Sequence, residues 1–291
     1  MEYLYRTIGK SRQHYMQNHE REVKTNQLEF RVIQAVINLR KDHPRMGSRA
    51  MFYSLKATGE DIGIGVTKFE QLLSERGFTV GKIRRSGPYT SDGKGKESYD
   101  NLTNGLRLND TNQLVVADIT YYWLEANWRY IFTLKDVYSQ KILYLQPSRD
   151  MMMENGLKCI EEMVKMRGKA SLSGCIHHSD NGTQYNAKKY KKALFNLQMK
   201  ISRSCGCKEN GSAEQLNHIV KNMYLNGWPI KTFRELQLAC QEIMYLNNEK
   251  RAIAQLGYLS PNAYESKLKN IPLENRKIKI MHDFKNTTNN T

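Results

Sequence analysis

The chain has 291 residues, 40% of them hydrophobic, which allows one large domain with a real core and a smaller one beside it. Lysine plus arginine exceed aspartate plus glutamate by 45 to 29, and the net charge of +16 points to a polyanionic partner, nucleic acid first. With no apolar run of membrane-spanning length and no signal-like start, neither a membrane nor an exported protein is expected, and the place is the cytoplasm.

Residues 1–28 read as a helical lead-in, with Ser11 as the cap of a short helix through Tyr15 and Met16. From Glu29 the positions Val32, Ile33, Val36, Ile37 and Leu39 follow the helical period until His43-Pro44 stops it. A second helix opens at Gly47-Ser48-Arg49 and carries Met51, Phe52 and Leu55; a third, capped by Thr67, carries Phe69, Leu72 and Leu73 and ends at Gly77. Residues 29–85 are thus expected to be a small all-α helix-turn-helix DNA-binding domain. Lys68 would hold phosphates there, with Lys82, Arg84 and Arg85 just beyond. A plain helical bundle with a solvated basic face meets the same pattern. Residues 86–111, rich in Gly, Ser, Asn and Lys, read as a linker.

Strand signals begin at Gln113. Residues 114–122 and 128–134 are β-branched and aromatic, Glu125-Ala126-Asn127 turns between them, and residues 141–145 add a third strand of a meander. Residues 152–166 place Met153, Leu157, Ile160, Met163 and Val164 at helical spacing. A strand over 174–178, a basic helix over 187–196, a short strand at 199–201 and a helix over 212–225 follow. The order β-β-β-α-β-α-β-α is that of a ribonuclease-H-like α/β core, a mixed five-stranded sheet with helices on its faces. We assign residues 112–270 to this core with a C-terminal helical extension, and 271–291 to a polar tail. The five cysteines (Cys159, Cys175, Cys205, Cys207 and Cys240) form no CxxC pair and read as free thiols.

Three carboxylates fall where such a fold would want them. Asp118 lies in mid-strand between Val116 and Thr120, an uncomfortable place for an unpaired charge. Asp180 leaves the strand ending at His178 just before the turn dipeptide Asn181-Gly182, where an Asp can equally well cap the loop. Glu214 lies in the first turn of the last core helix. Three carboxylates from separate elements can hold two ions, Mg²⁺ or Mn²⁺, roughly 3.5–4 Å apart, the arrangement for phosphoryl transfer. Lys221 is seven residues beyond Glu214, about 20° short of two full α-helical turns, so it is expected on the same face, beside a DNA phosphate.

The chain resembles the OrfB-type transposases of bacterial insertion sequences, whose DDE core is shared with retroviral integrases. The resemblance rests on Gly9-Lys10-Ser11-Arg12-Gln13-His14-Tyr15, Pro44-Arg45-Met46-Gly47-Ser48-Arg49, Ala117-Asp118-Ile119-Thr120-Tyr121, His178-Ser179-Asp180-Asn181-Gly182-Thr183-Gln184-Tyr185, the segment 209–217 and Leu256-Gly257-Tyr258-Leu259-Ser260-Pro261. It implies a catalytic and metal-binding triad of Asp118, Asp180 and Glu214, and a DNA-contacting Lys221. The implied activity is metal-dependent DNA strand cleavage and strand transfer at the ends of the element, by a homo-oligomer acting on double-stranded end and target DNA at the bacterial nucleoid. Fusion to an upstream OrfA-type product belongs to the same picture. Three departures from the family pattern stand out: Val115 where a Trp is common, Arg251-Ala252-Ile253 where Arg-Pro-His is common, and only 33 residues between Asp180 and Glu214. Two other functions use the same parts, a non-catalytic DNA-binding regulator from a decayed element and a ribonuclease-H-like nuclease that joins no ends.

Overall fold

The computed structural model describes residues 11–81, 99–204 and 207–283, except the side chains of 207 and 208. The chain divides into two compact units, residues 1–81 and 82–291.

The first unit is helical. A single helix, α1 (Arg12–Asp42), runs where the spacing suggests a short lead-in and then a new helix from Glu29. Neither Gly nor Pro occurs within it, so nothing breaks the hydrogen-bond ladder at that junction. Ser11 caps it, its Oγ accepting from the His14 amide at 3.1 Å. Helices α2 (Ser48–Ala57) and α3 (Val66–Glu75) follow. Val36, Met46, Met51, Phe52, Phe69 and Leu73 close a core among the three. At about 1.5–3 kcal/mol for each fully buried large side chain, this cluster is what holds α2 and α3 against α1. Residues 58–65 join α2 to α3, a connection longer than the three- to four-residue turn of a helix-turn-helix. Gly59 and Gly63 supply its left-handed positions, at φ +83° and +62°.

The second unit is built on the expected mixed sheet. Strands β2 (Leu114–Leu124), β3 (Asn127–Asp136) and β4 (Ile142–Ser148) form the antiparallel meander. Glu125 and Ala126 between β2 and β3 both have positive φ, 54° and 53°, as a two-residue type I′ hairpin requires. Strand β5 (Ile176–Ser179) lies parallel on β2, and β6 (Lys200–Arg203) parallel on β5, giving the order β4-β3-β2-β5-β6. This is a ribonuclease-H-like α/β sheet. Alternation along the strands divides the core. Val115, Ala117, Phe132 and Leu134 face α4 (Met153–Arg167) and α6 (Lys188–Asn196), which follows the single turn α5 (Thr183–Asn186). Leu124, Ile131, Ile142 and Leu145 pack instead with Leu216 of α7 (Gly211–His218) and with Leu236, Cys240 and Ile243 of α8 (Phe233–Tyr245).

Two sequence expectations change here. Residues 99–111 of the supposed linker are packed structure: Leu102 N donates to Ser202 Oγ at 2.9 Å, Leu108 is wholly buried, and β1 (Arg107–Leu108) pairs with β7 (Lys279–Ile280) from the supposed polar tail. The reason is apolar. Leu106, Leu108 and Met281, scattered among polar neighbours, join one cluster with Leu114, Val116 and Leu268 of helix α9 (Pro261–Leu268). The last core helix also departs from an all-α course, continuing past His218 as a π-helical segment, Ile219–Tyr224, and a 3-10 turn, Leu225–Gly227.

Candidate active site

Asp118 occupies the middle of β2, opposite Thr133 of β3. Its Oδ1 accepts from the Ile119 amide at 2.9 Å and its Oδ2 from Asn217 Nδ2 at 2.7 Å. Desolvation raises its pKa from the usual 3.8 to about 7; the charge of Asp180 adds to this, and that of Glu214 adds less. Asp118 therefore feels both of the other predicted carboxylates, which stand on separate elements.

Asp180 follows the last residue of β5, on the strand parallel to β2, and remains open to solvent on one side. Its Oδ1 accepts from the Gly182 amide at 3.1 Å, closing an Asx turn. Surrounding groups crowd the carboxyl enough that desolvation raises its pKa, against the Gly182 hydrogen bond and the Arg203 charge. A Cβ at Gly182 would stand 3.0 Å from Asp180 Oδ1 and 3.2 Å from Gln184 Oε1, so a side chain there would press the carboxylate aside by a few tenths of an ångström.

Glu214 lies in the first turn of α7 and is exposed. Three contacts fix that helix to the sheet: Asn210 Nδ2 to Ala117 O at 3.4 Å, Lys135 Nζ to Gln215 Oε1 at 3.2 Å, and the Asn217–Asp118 bond. Burial lowers the Lys135 pKa to about 7, helped by Lys279 and Arg251. The start of α7 is tied down again by His178, whose ring meets Ser202 Oγ at 2.8 Å through Nδ1 and Glu209 O at 3.3 Å through Nε2. Burial drives its pKa to about 4, so the imidazole is neutral and serves as a structural bridge.

The carboxylates neighbour one another but are not drawn together: among the described residues no group of three His, Cys, Asp or Glu side chains is close enough to hold a metal ion. Like charges repel, and Glu214 sits on the solvent side while Asp118 is engaged by Asn217. The donor set still suits a hard cation, because a carboxylate raised to about 7 by desolvation and, less, by the charges of Asp180 and Glu214 is relieved by positive charge.

Lys221 does not keep the alignment with Glu214 that an unbroken α-helix would give. The π-helical segment widens the turn just before it, so spacing of 3.6 residues per turn no longer applies. It is half-buried, and burial lowers its pKa. Lys68 is exposed on α3. Lys82, Arg84 and Arg85 lie outside the described residues. Cys159, Cys175 and Cys240 are buried free thiols.

Sequence reasoning gave no role to Asn217 or Thr133. Asn217 holds Asp118 and its Oδ1 is met by Thr133 Oγ1 at 3.4 Å, so it links two of the carboxylate-bearing elements. The signal was available: Asn217 is three residues past Glu214 and therefore on its helix face.

Residues 109–208 match the family model of the integrase core domain. A 31 kDa uncharacterized protein of insertion element IS600 from Shigella sonnei is 31% identical over 159 residues, 54% of this chain and 58% of that protein. The chain thus spans somewhat over half the length of that relative. The putative transposase of insertion sequence IS986/IS6110 from Mycobacterium tuberculosis is 25% identical over 227 residues, 76% of this chain and 81% of that one. The transposase of IS629 from Shigella sonnei is 25% identical over 224 residues, covering 76% and 74%. Among solved structures, the HTLV-2 integrase catalytic core domain in complex with magnesium aligns with a TM-score of 0.43 at 14% identity, over 53% of this chain and 95% of that one. The catalytic core domain of BIV integrase aligns at 0.43 and 17%, over 55% and 99%. No described helix is long and apolar enough to cross a membrane. Residues 109–208, which include the strands that carry Asp118 and Asp180, thus match an integrase core domain, and the chain is similar to transposases of bacterial insertion elements.

Proposed function

We propose that this protein cleaves DNA at the ends of its insertion element and joins those ends to target DNA, using Asp118, Asp180 and Glu214 to hold two divalent ions, Mg²⁺ or Mn²⁺. The observation that carries the reading is electrostatic. Asp118, at the centre of the sheet, has its pKa raised to about 7 by burial first, and further by the charges of Asp180 and Glu214. A merely structural aspartate has no use for such an environment, whereas a cation-binding one does.

Two such ions, when bound, supply a nucleophilic water or 3′-hydroxyl at neutral pH and stabilise the departing oxygen. The chain's own part is to place the ligands. Asn217 holds Asp118 Oδ2, Gly182 sets the Asp180 carboxylate through its amide, and α7 carries Glu214 on a helix pinned at Asn210, Gln215 and Asn217. Lys221, half-buried three residues beyond the end of α7, contributes positive charge for a phosphate next to the carboxylates. The excess of 45 basic over 29 acidic residues supplies the general attraction to DNA. In the helical unit Lys68 is exposed for phosphate contact, and Lys82, Arg84 and Arg85 extend the basic run in sequence. Assembly as a homo-oligomer on DNA, and production as a fusion with an upstream OrfA-type product, fit the same reading.

The test is purified protein with Mg²⁺ on DNA carrying its native element ends. The wild type should cleave and join; Asp180→Asn should do neither while binding the same DNA, since binding rests on Lys and Arg. Cleavage by the Asn variant at the wild-type rate would remove Asp180 from the chemistry.

A further inference from the structure

Helix α6 (Lys188–Asn196) is a basic segment to which the carboxylate chemistry gives no role. It carries Lys188, Lys189, Lys191 and Lys192, and residues 181–204 contain no aspartate or glutamate. Helix α4, against which it packs, mixes its charges instead, and there Lys165 meets Glu162 at 2.7 Å. Tyr190 and Leu194 are the buried side of α6; Lys188 and Lys192, each two residues from Tyr190 and so about 200° around the helix from it, leave from the opposite side. Lys188, Lys189 and Lys192 are exposed and make no ion pair or hydrogen bond among the described residues. Such a row of unpaired ammonium groups suits an extended anion.

The start of α6 is fixed beside Asp180. Asn186 Nδ2 donates to the backbone O and to Oδ1 of Asn181, at 3.1 and 2.8 Å, and Arg203 Nη2 donates to Tyr185 O at 2.7 Å. Asn181 is the neighbour of Asp180, and Lys188 is two residues past Asn186, its Cα within about 7 Å of that of Asn186. Backbone and hydrogen bonds thus join the lysines to the carboxylate loop. Lys188 and Lys192 are about 6 Å apart along the axis, a little under two base-pair rises of DNA. The side of the sheet is equally telling. Helix α6 shares a cluster with Val115, Ala117 and Phe132, whereas α7 packs through Leu216 on Ile131 and Leu145, on the other face, where Asn217 reaches Asp118. The segment that carries Lys221 packs on that second face as well, through Ile219 and Val220. Cations therefore run along two separate faces, one beginning at the loop after Asp180 and one following the helix that bears Glu214. Joining one DNA to another brings two backbones to one set of carboxylates, and two polyanions do not share one path.

We propose that Lys188, Lys189 and Lys192 seat the backbone of the second DNA, the duplex that receives the element end, while the end itself lies on the α7 side with Lys221. The contacts are to phosphates alone, so this surface accepts a duplex of any sequence. The proposal rests on the reading that the carboxylates cleave and join DNA.

The experiment uses the full chain and two probes, a duplex carrying the element end and a plain duplex without it. Wild type is compared with the combined Lys188→Ala, Lys189→Ala, Lys192→Ala variant and with the same three lysines changed to Arg. Plain-duplex affinity is measured at several salt concentrations on protein already saturated with end DNA. Losing three phosphate contacts should flatten the log–log dependence of affinity on salt by about 3 and weaken binding about tenfold or more at low salt, while end affinity and end cleavage stay unchanged. In joining assays the plain-duplex concentration that half-saturates the rate should rise and the saturated rate should hold, and the Arg variant should match wild type because the charge remains. Plain-duplex affinity and salt slope unchanged in the Ala variant would overturn the proposal and make α6 a solvated face. Loss of end affinity with plain-duplex affinity intact would overturn it too, by putting the end on α6. Cleavage of element ends by the wild type is followed in parallel. A flattened plain-duplex slope without any cleavage leaves α6 standing as the seat of the second duplex and removes the transposase chemistry; cleavage and joining with no effect of the Ala variant do the reverse.

Discussion

Asp118 titrates near pH 7 in the folded chain and near 3.8 when free of the fold, and this difference makes stability depend on pH. The folded state holds the proton more tightly, so the stabilising contribution is complete below the unfolded value and is lost as pH rises through about 7. At pH 5, two units below the folded value, the contribution is about 2.7 kcal/mol, and at pH 8 almost none remains. Solvent screening at a half-buried residue trims this, so the expected loss between the two is about 1–2.7 kcal/mol. Asp118→Asn has no such proton to lose. In EDTA, the wild type should therefore fall in stability relative to the Asn variant by that amount between pH 5 and pH 8. Urea unfolding followed by tryptophan fluorescence measures it on the right unit, because Trp123, Trp128 and Trp228 all lie in residues 82–291. Adding Mg²⁺ at pH 8 should then raise the wild type and leave the variant unmoved. Parallel pH profiles for the two proteins would refute the argument that Asp118 is an electrostatically frustrated carboxylate.

Lys221→Ala should slow joining in single-turnover assays while Mg²⁺ still protects the chain from urea, and Lys221→Arg should keep much of the rate; equal rates for wild type and Ala would make Lys221 an ordinary helix residue. A fragment of residues 1–85, which contains the whole helical core around Val36, Phe52 and Phe69, should shift element-end DNA and lose affinity steeply between low and moderate salt. Failure of the folded fragment to bind at low salt would refute its assignment. Gly156→Ala should cost about 1–3 kcal/mol in urea, since its Cβ would stand 2.9 Å from the Tyr190 ring and 3.7 Å from Phe132. Wild-type stability would mean that the α4–α6 contact gives way without cost.

Element type was legible wherever a long stretch kept one composition or period. β-branched and aromatic composition gave β2 and β3, and helical spacing gave α4. Boundaries and continuity were less so. The continuity of residues 12–42 is marked only by the lack of Gly and Pro, and the isolated Leu106 and Leu108 look like linker residues until Met281 arrives from far along the chain. The π-helical segment after His218 has no sequence signature in its own residues either, and it displaces Lys221 from the position that counting assigns.

The sequence by itself determined the strand and helical patterns, the order of elements, and the placement of Asp118, Asp180 and Glu214 at strand or helix positions that a mixed sheet brings near one another. These are local properties, fixed by backbone period and turn chemistry. Only the tertiary structure decided how those carboxylates are held. The Asn217–Asp118 bond, the neutral His178 bridge, the pinning of α7 at Ala117 and Lys135, and the pairing of β1 with β7 each join residues far apart in the chain. Their energies depend on burial and distance, which no one-dimensional pattern carries, and the raised pKa of Asp118 is the sum of such terms at one point in the fold.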